Sequence, residues 1–111
     1  MTIAELKRLL EVYGIEHQIP VSFNAFEGRP DSDTMLMWAN PYDSDFYADG
    51  TNYKRIGHIE VSLIQATRDL DVEMDFESML AENRLTFALT GSEHYDEEDL
   101  WETIYEIEVF K

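Results

Sequence analysis

Cysteine is absent from this 111-residue chain, so disulfide bridges, thiolate metal sites and a cysteine nucleophile are excluded. Basic residues are also scarce, with 8 lysines and arginines against 24 aspartates and glutamates, and the formal net charge is −16 at pH 7. A surface of this sign repels nucleic acid and anionic membranes. The charge therefore predicts either a plain solvated acidic surface or a surface that meets basic partners.

Glycine and long apolar runs are scarce as well. The 5 glycines form no phosphate-binding loop, and no serine lies in a nucleophile-elbow pattern. No segment approaches the roughly 20 consecutive apolar residues that cross a bilayer, and residues 1–13 lack the apolar core of a signal peptide. We therefore expect a soluble protein that does not bind membranes. The chain is 44% hydrophobic and 29% charged, which is typical of a folded protein, and its length predicts one domain over residues 1–111.

Two amphipathic segments predict helices. A capping box at Thr2 and Glu5, followed by apolar residues at helical spacing, predicts a helix over residues 3–13. Gly14 fits the left-handed position that ends a helix. Asp69 is placed to cap a second helix over residues 70–82, and Asn83 is a plausible terminator.

Alternating apolar and polar residues predict strands at 19–26, 34–39, 54–66, 85–91 and 100–110. The strand at 34–39 is apolar on both sides and should be central. Acidic and turn-forming residues at 92–99 predict a loop. Short connections favour antiparallel pairing. The predicted fold class is α+β, with two layers: a mostly antiparallel sheet of four to five strands and two helices packed on one face.

The last predicted strand has one apolar and one acidic side. Trp101, Tyr105 and Val109 alternate with glutamates. The face away from the helices should carry four acidic side chains, Glu60, Glu102, Glu106 and Glu108. One interpretation is a water-facing sheet surface. The other is a face that meets a basic partner or lines a wet passage in an oligomer.

Residues 40–53 combine turn-forming and aromatic residues, and we predict a long loop. Its carboxylates do not follow the EF-hand pattern, because Tyr47 takes the fifth position. The aromatics either pack beneath the loop or form a subunit contact. The hypothesis carried forward is a subunit or partner interface made by Tyr42, Phe46, Tyr47, Asp49 and Tyr53.

No catalytic, cofactor or metal site is predicted. The histidines His17, His58 and His94 have no metal-site spacing. With 24 carboxylates, a pair of acids is not informative. Nucleic-acid readers need basic patches, which this chain lacks. We therefore predict that the protein is not an enzyme.

Four stretches carry a resemblance to a known family, among them the predicted second helix from Asp69 to Leu80. Asn40 and Pro41 precede the run Asp-Phe-Tyr-Ala-Asp-Gly at 45–50 and Tyr-Lys-Arg-Ile at 53–56. Ile-Glu-Val-Ser-Leu follows at 59–63, and the chain closes with Leu-Trp-Glu-Thr-Ile-Tyr-Glu-Ile-Glu-Val at 100–109. Together they resemble tail-terminator or tail-completion proteins, also described as minor capsid or minor tail proteins, of long-tailed phages and prophages of Gram-positive bacteria. The resemblance covers most of the chain.

The resemblance implies a structural role in virion assembly. Such proteins form a ring, commonly hexameric, on the completed tail tube, where the ring stops polymerisation and prepares the tail for head joining. The implied partners are other copies of the chain, the major tail tube protein and head-tail connector proteins, and DNA passes without specific binding. The implied location is the virion tail or neck, after assembly in the host cytoplasm. No cofactor is implied.

Other functions are compatible with the composition. An acidic inhibitor that mimics DNA would explain the net charge of −16 and would bind a basic protein in a salt-dependent way. A different neck or head-tail connector component is a second alternative. A small enzyme or metal protein would require activity or metal binding that depends on His58 or His94.

Overall fold

Two helices and five strands make up the structure, a computed structural model that describes residues 1–25, 32–48 and 52–110, with the backbone alone at 44–48 and 52–54. The elements follow one another along the chain as α1 (Ile3–His17), β1 (Val21–Phe23), β2 (Thr34–Ala48), β3 (Asn52–Gln65), α2 (Leu70–Glu82), β4 (Thr86–Tyr95) and β5 (Leu100–Phe110). In the described part of the chain, neither helix is long and apolar enough to cross a membrane.

The strands form one sheet in the order β1-β2-β3-β5-β4. Three of the four strand pairs are antiparallel, and β2 lies inside the sheet, so the predicted α+β class and the central position of this strand are confirmed. The expectation of antiparallel pairing is wrong for β1, which runs parallel to β2 with Val21 opposite Leu36. Residues 24–33 separate these strands, so no tight hairpin forces them to run in opposite directions.

Both helices pack on the same face of the sheet. Leu6 and Leu10 of α1 and Phe76 and Leu80 of α2 are fully buried in one core. Their partners are the inward residues of the strands, whose alternation leaves every second side chain beneath the helices: Leu36, Trp38, Ile59, Val61, Leu63, Tyr105, Ile107 and Val109. The sheet's other face, which we call the outer face, has no helix on it in the described part of the chain.

The helix boundaries follow the predicted capping residues except at Gly14. Thr2 and Glu5 form the predicted capping box, and Asp69 accepts a hydrogen bond from the Asp71 amide at the start of α2. The prediction that Gly14 ends α1 is wrong, since the helix continues to His17 and Gln18 adopts the left-handed cap with φ 56°. The residue type predicted a helix end, but this glycine is needed for close packing against the following segment and not for a turn.

Gly14 lies where β1 approaches α1. A β-carbon added at this position would lie 2.5 Å from Cγ2 of Val21 and 2.6 Å from the carbonyl oxygen of Ile19. The side chain of Val21 can shift, but the backbone of Ile19 is held in place, since its N–H donates a hydrogen bond to the carbonyl of Gly14 at 2.8 Å.

We expect Gly14→Ala to lower the free energy of unfolding. The clash should cost about 1–3 kcal/mol, which outweighs the roughly 1 kcal/mol that alanine gains over glycine in a helix. Urea unfolding followed by circular dichroism measures the difference. Alanine at exposed Glu16, in the last turn of the same helix, is the control. A Gly14→Ala variant more stable than the wild type would show that α1 and β1 are not in contact there.

Segment 40–53 is a β-hairpin in its described part, which corrects the predicted loop. The ladder between β2 and β3 continues from Tyr42 opposite His58 to Ala48 opposite Asn52. The register shifts between Ala39 and Tyr42, where Pro41 cannot donate to the ladder. The ladder skips the proline at this irregularity and resumes at Tyr42, so the turn-forming residues do not end the strand.

A side-chain amide fixes this irregularity. Asn40 Nδ2 donates to the carbonyl of Tyr42 at 3.0 Å and to the carbonyl of His58 at 3.2 Å. It thereby bridges β2 and β3 where the ladder is interrupted.

The β2–β3 hairpin is as long as the molecule. The molecule measures 49 × 27 × 25 Å along its principal axes, and a 15-residue strand such as β2 spans about 50 Å.

The predicted loop at 92–99 is also partly strand. Ser92 pairs with Thr103 and Tyr95 pairs with Leu100, so β4 extends to Tyr95 and only residues 96–99 turn. Strand pairing overrides the acidic, turn-prone composition here because the partner strand β5 supplies a complete ladder.

Candidate interaction face

Strand β5 places a row of glutamates on the outer face. Its inward residues from Thr103 to Val109 are buried, as predicted, and Trp101 is half-buried, as are Glu102 and Glu106, while Glu108 is exposed. Glu60 of β3 is exposed and lies directly opposite Glu106. The four glutamates predicted to share a face therefore do share it, and Ile104 interrupts their row on β5.

Glu106 is the centre of a cluster that joins three strands. Its Oε1 accepts a hydrogen bond from the Tyr42 hydroxyl at 2.9 Å and lies 2.9 Å from Nδ1 of His58. The rings of Tyr42 and His58 are stacked, with centroids 4.3 Å apart and planes 11° apart. Because an ionised carboxylate only accepts hydrogen bonds, Nδ1 of His58 carries the proton in this contact.

The cluster favours the charged form of Glu106. The hydrogen bond from Tyr42, followed by the hydrogen bond from His58, lowers the pKa of the Glu106 carboxyl below its ordinary value. The same hydrogen bond to Glu106 raises the pKa of the Tyr42 phenol. A carboxylate with two donors in fixed positions is held in place, and here it is held on the outer face of the sheet.

A second tyrosine repeats this contact at the other end of the face. The hydroxyl of Tyr95 donates to Oε1 of Glu102 at 2.8 Å, and this bond raises the pKa of the phenol. Glu102 lies directly opposite Glu93, as Glu106 lies opposite Glu60. Like charges on opposed positions destabilise a sheet. In both pairs a tyrosine hydrogen-bonds one of the two carboxylates and offsets part of the repulsion.

The structure brings only part of the predicted site together. Tyr42, predicted as an interface residue, and Glu106, predicted as an acidic-face residue, are hydrogen-bonded to each other. Tyr42 keeps 51% of its surface exposed. The backbones of Phe46, Tyr47 and Tyr53 lie in the β2–β3 hairpin, and Asp49 lies outside the described residues.

Each of the three histidines is paired with different carboxylates in separate parts of the fold. His17 lies 3.7 Å from Asp75 at the α1–α2 contact, and His58 belongs to the Glu106 cluster. Among the described residues, no group of three or more histidine, aspartate or glutamate side chains is placed to hold a metal ion. His58 was tested from the sequence as a metal ligand, and its contact with Tyr42 and Glu106 was not predicted.

His94 joins the two ends of the β4–β5 turn. Its Nε2 lies 3.0 Å from Asp99 and its Nδ1 lies 3.0 Å from Asp96, while its ring packs on Trp101 with centroids 4.5 Å apart. Two carboxylate partners require a proton on both ring nitrogens. The hydrogen bond to Asp99 has the largest effect and raises the pKa of His94 above 6.5; burial, the next in size, lowers it, and the hydrogen bond to Asp96 raises it further.

We expect this turn to make the protein more stable at mildly acidic than at alkaline pH. Since the pKa of His94 is raised in the folded state, its contribution is fully present below pH 6.5 and is lost as the pH rises through the raised value. An NMR titration of the His94 ring should give a pKa above 6.5, and Asp99→Asn should lower that value. Equal pKa values in wild type and variant would contradict the charged contact.

Comparison with known proteins gives a fold and no family. A chain from the structure titled "Virion of native gene transfer agent (GTA) particle" superimposes with a TM-score of 0.54, over 93% of this chain and 84% of its own length. The two chains share a fold. Their sequence identity is 13%, so the likeness concerns the fold alone. No family model and no curated protein matches the sequence.

The outer face combines fixed charge with exposed aromatic surface. Tyr42 and Tyr95, at its two ends, are 51% and 41% exposed, and each positions a glutamate. Exposed tyrosines beside ordered carboxylates are suited to contact with a protein surface, because they offer both apolar area and oriented hydrogen-bond groups. The outer face and the β2–β3 hairpin are therefore the candidate contact surfaces of the molecule.

Proposed function

We propose that this chain is a structural protein of a phage-type virion, and more specifically that it caps the completed tail tube as a ring. The observation that carries the proposal is the fold shared with a chain of a gene transfer agent virion over 93% of this chain. The ring would stop polymerisation of the tube and prepare the tail for joining to the head. Its assembly would take place in the host cytoplasm and its final location would be the tail or neck.

The shape of segment 40–56 supports a role in assembly. This segment carries the sequence resemblance to tail-terminator proteins, and its described part is a long two-stranded hairpin instead of a compact loop. An extended hairpin is suited to reach beyond its own subunit. We propose that Tyr42, Phe46, Tyr47, Asp49 and Tyr53 contact a neighbouring copy or the major tail tube protein.

The acidic outer face supports either of two positions in such a ring. Glu60, Glu102, Glu106 and Glu108 all lie on it, and a lumen with this charge would let DNA pass without binding phosphates. Alternatively, the face meets a basic surface on a head-tail connector protein. Two of its carboxylates are fixed in position, Glu106 by Tyr42 and His58 and Glu102 by Tyr95, and fixed charge suits both positions.

Electron microscopy tests the proposal directly. The purified chain is mixed with tubes assembled from the tail tube protein of the same genome, and tube ends and lengths are recorded. Caps at one end and arrested elongation are the expected result. Tubes that elongate at the same rate with and without the chain would overturn it. Binding at a head-tail connector without any effect on tubes would assign the chain to the neck.

A DNA-mimicking inhibitor gives a different result in the same preparation. It would leave tubes unchanged and bind a basic protein with an affinity that falls steeply with salt.

Charge reversal tests whether the outer face lines the lumen. The double variant Glu60→Lys and Glu108→Lys changes two exposed glutamates that are outside the tyrosine contacts described above. We expect it to slow DNA passage in the virion if the face lines the lumen, whereas Glu82→Lys, on α2, should have no effect.

A further inference from the structure

Strand β4 is an exposed sheet edge with an unusual composition. It is the last strand in the sheet order, it pairs with β5 on one side only, and no strand of the described residues pairs with its other side. The run Leu-Thr-Phe-Ala-Leu-Thr-Gly-Ser at 85–92 carries no charge, although the chain is 29% charged. Leu89, in the middle of this run, is 54% exposed.

Exposed edges of this length are normally protected against pairing with other chains. The usual devices are lysines, prolines, inward-pointing charges and bulges. On β4 the run 85–92 has only an irregularity between Leu89 and Gly91, which leaves Thr86–Leu89 as a regular, uncharged segment. Buried strands need no charge, but this strand is exposed along most of its length. The composition therefore indicates an edge that another chain covers.

The opposite edge of the sheet is also apolar. There, β1 is the outermost strand, and an open groove of about 490 Å³ runs between it and the end of α1. The run Gln-Ile-Pro-Val-Ser-Phe-Asn-Ala-Phe at 18–26 is uncharged. Ile15 is 79% exposed and Phe23 is 52% exposed. The groove is lined by Glu11, Gly14, Ile15, Gln18, Ile19, Pro20 and Val21.

The two edges are arranged for head-to-tail contact. They lie at opposite ends of the same sheet. Leu89 is opposite Tyr105 on β5, so it points to the helix-bearing face, which is the face on which the α1–β1 groove opens. In a sheet continued from one copy to the next, Leu89 of one copy would therefore meet the groove of its neighbour beside Ile15.

We propose that the β4 edge of one copy docks on the α1–β1 edge of a second copy. Strand pairing favours this occupant, because an open strand edge is satisfied by another open edge, and each copy has one at either end of its sheet in the described residues. The low charge of both edges limits the repulsion between two chains that each carry −16. Because the two patches differ, the contact is heterologous and repeats until rotation closes a ring. The proposal rests on the proposed ring and names the surfaces that build it.

Disulfide trapping tests the contact, since the chain has no cysteine of its own. Leu89→Cys and Ile15→Cys are made as separate full-length proteins, mixed in equal amounts at raised salt, and oxidised. The head-to-tail contact predicts a cross-linked heterodimer that grows no further. The matched control replaces Leu89→Cys by Leu70→Cys, on the exposed first position of α2.

The yields separate the possible outcomes. We expect at least about tenfold more heterodimer than in the control mixture, which corresponds to roughly 1.4 kcal/mol of preferential contact. The double variant Leu89→Cys with Ile15→Cys should give a ladder that ends in a closed oligomer. Efficient cross-linking of Leu89→Cys with itself would show a symmetric β4–β4 dimer, and equal yields in all mixtures would show no contact; both results overturn the proposal.

The result is independent of the tail-capping experiment. If the wild-type chain caps tubes and the cysteine pair does not cross-link, the ring uses other surfaces and the function stands. If the pair cross-links and tubes elongate unaffected, the head-to-tail contact stands and the tail-capping function is wrong. Circular dichroism of each reduced variant checks that the cysteine substitutions leave the fold intact.

Discussion

Replacing Phe76 by alanine is expected to lower the free energy of unfolding by about 3–5 kcal/mol, the usual cost of removing a fully buried phenylalanine. Phe76 has no exposed surface, and its ring lies 5.6 Å from that of Tyr13 on α1 and 5.4 Å from that of Tyr105 on β5. It therefore joins both helices to the sheet. Since domains of this size have a total stability of about 5–15 kcal/mol, the loss is a large fraction of the whole.

Urea unfolding followed by circular dichroism measures this loss. Met74→Ala, on the same helix and 62% exposed, is the matched control and should change the stability by less than about 0.5 kcal/mol. A loss below about 1 kcal/mol for Phe76→Ala would mean that α2 does not pack on the sheet as described. An intermediate in the unfolding curve would show that the two helices separate from the sheet independently.

Replacing Glu73 by alanine is expected to cost about 2–3 kcal/mol. This glutamate is only 5% exposed, on the buried side of α2. Its Oε1 accepts a hydrogen bond from Thr103 at 2.7 Å, and Arg68 approaches the carboxylate at 3.4 Å. Alanine would leave the buried Thr103 hydroxyl without its acceptor. The side chain of Arg68 is 35% exposed, which limits the cost of losing its counter-charge.

Glutamine at this position separates the two contributions. Glu73→Gln keeps a carbonyl oxygen for Thr103 and removes the charge that faces Arg68, so we expect it to lose about half as much stability as the alanine variant. Glu82→Ala, which is exposed at the end of the same helix, is the control. If the alanine and glutamine variants were equally stable, the hydrogen bond from Thr103 would contribute nothing measurable.

Local patterns predicted the helices and the fold class. The bounds of α2 and the capping roles of Thr2 and Asp69 depend on residues within one helical turn, and the structure has them as predicted. The inward alternation of β5 was also predicted correctly, because a strand with one buried face alternates apolar and polar residues along its sequence. The prediction for Gly14 was wrong because its role depends on contact with β1. A capping rule considers only residues within the helix and its ends, so it does not include this contact.

The burial of Glu73 in α2 was missed because the residue that donates a hydrogen bond to it, Thr103, comes from a distant part of the sequence. Glu73 is spaced three residues before Phe76 and seven before Leu80, and this spacing places it on the apolar side of the helix. The spacing was visible, but a glutamate near a helix start is ordinarily explained by the helix dipole. Thr103, on a strand that follows later in the chain, supplies the hydrogen-bond donor that makes burial of the carboxylate favourable, and the spacing within α2 does not show this donor.

The candidate site was predicted in separate parts. Tyr42 was assigned to an aromatic interface and Glu106 to an acidic face, and no residue pattern connects the two positions. Their hydrogen bond depends on the register of β2 on β3, which shifts at Asn40 and Pro41. A shift of one residue moves a side chain to the other face of a sheet. The cluster therefore depends on this register shift, whereas the composition of the segment predicts only a turn.

The strand order has a consequence for the speed of folding. Strands β2 and β3 form one hairpin and β4 and β5 form another, each from neighbouring segments of the chain. The two hairpins are joined by the ladder between β3 and β5, in which Ile56 pairs with Phe110 from a distant part of the sequence. Closing a long loop costs entropy before any contact compensates for it. We therefore expect the two hairpins to form first and their joining to limit the rate, with β4 exposed in the meantime.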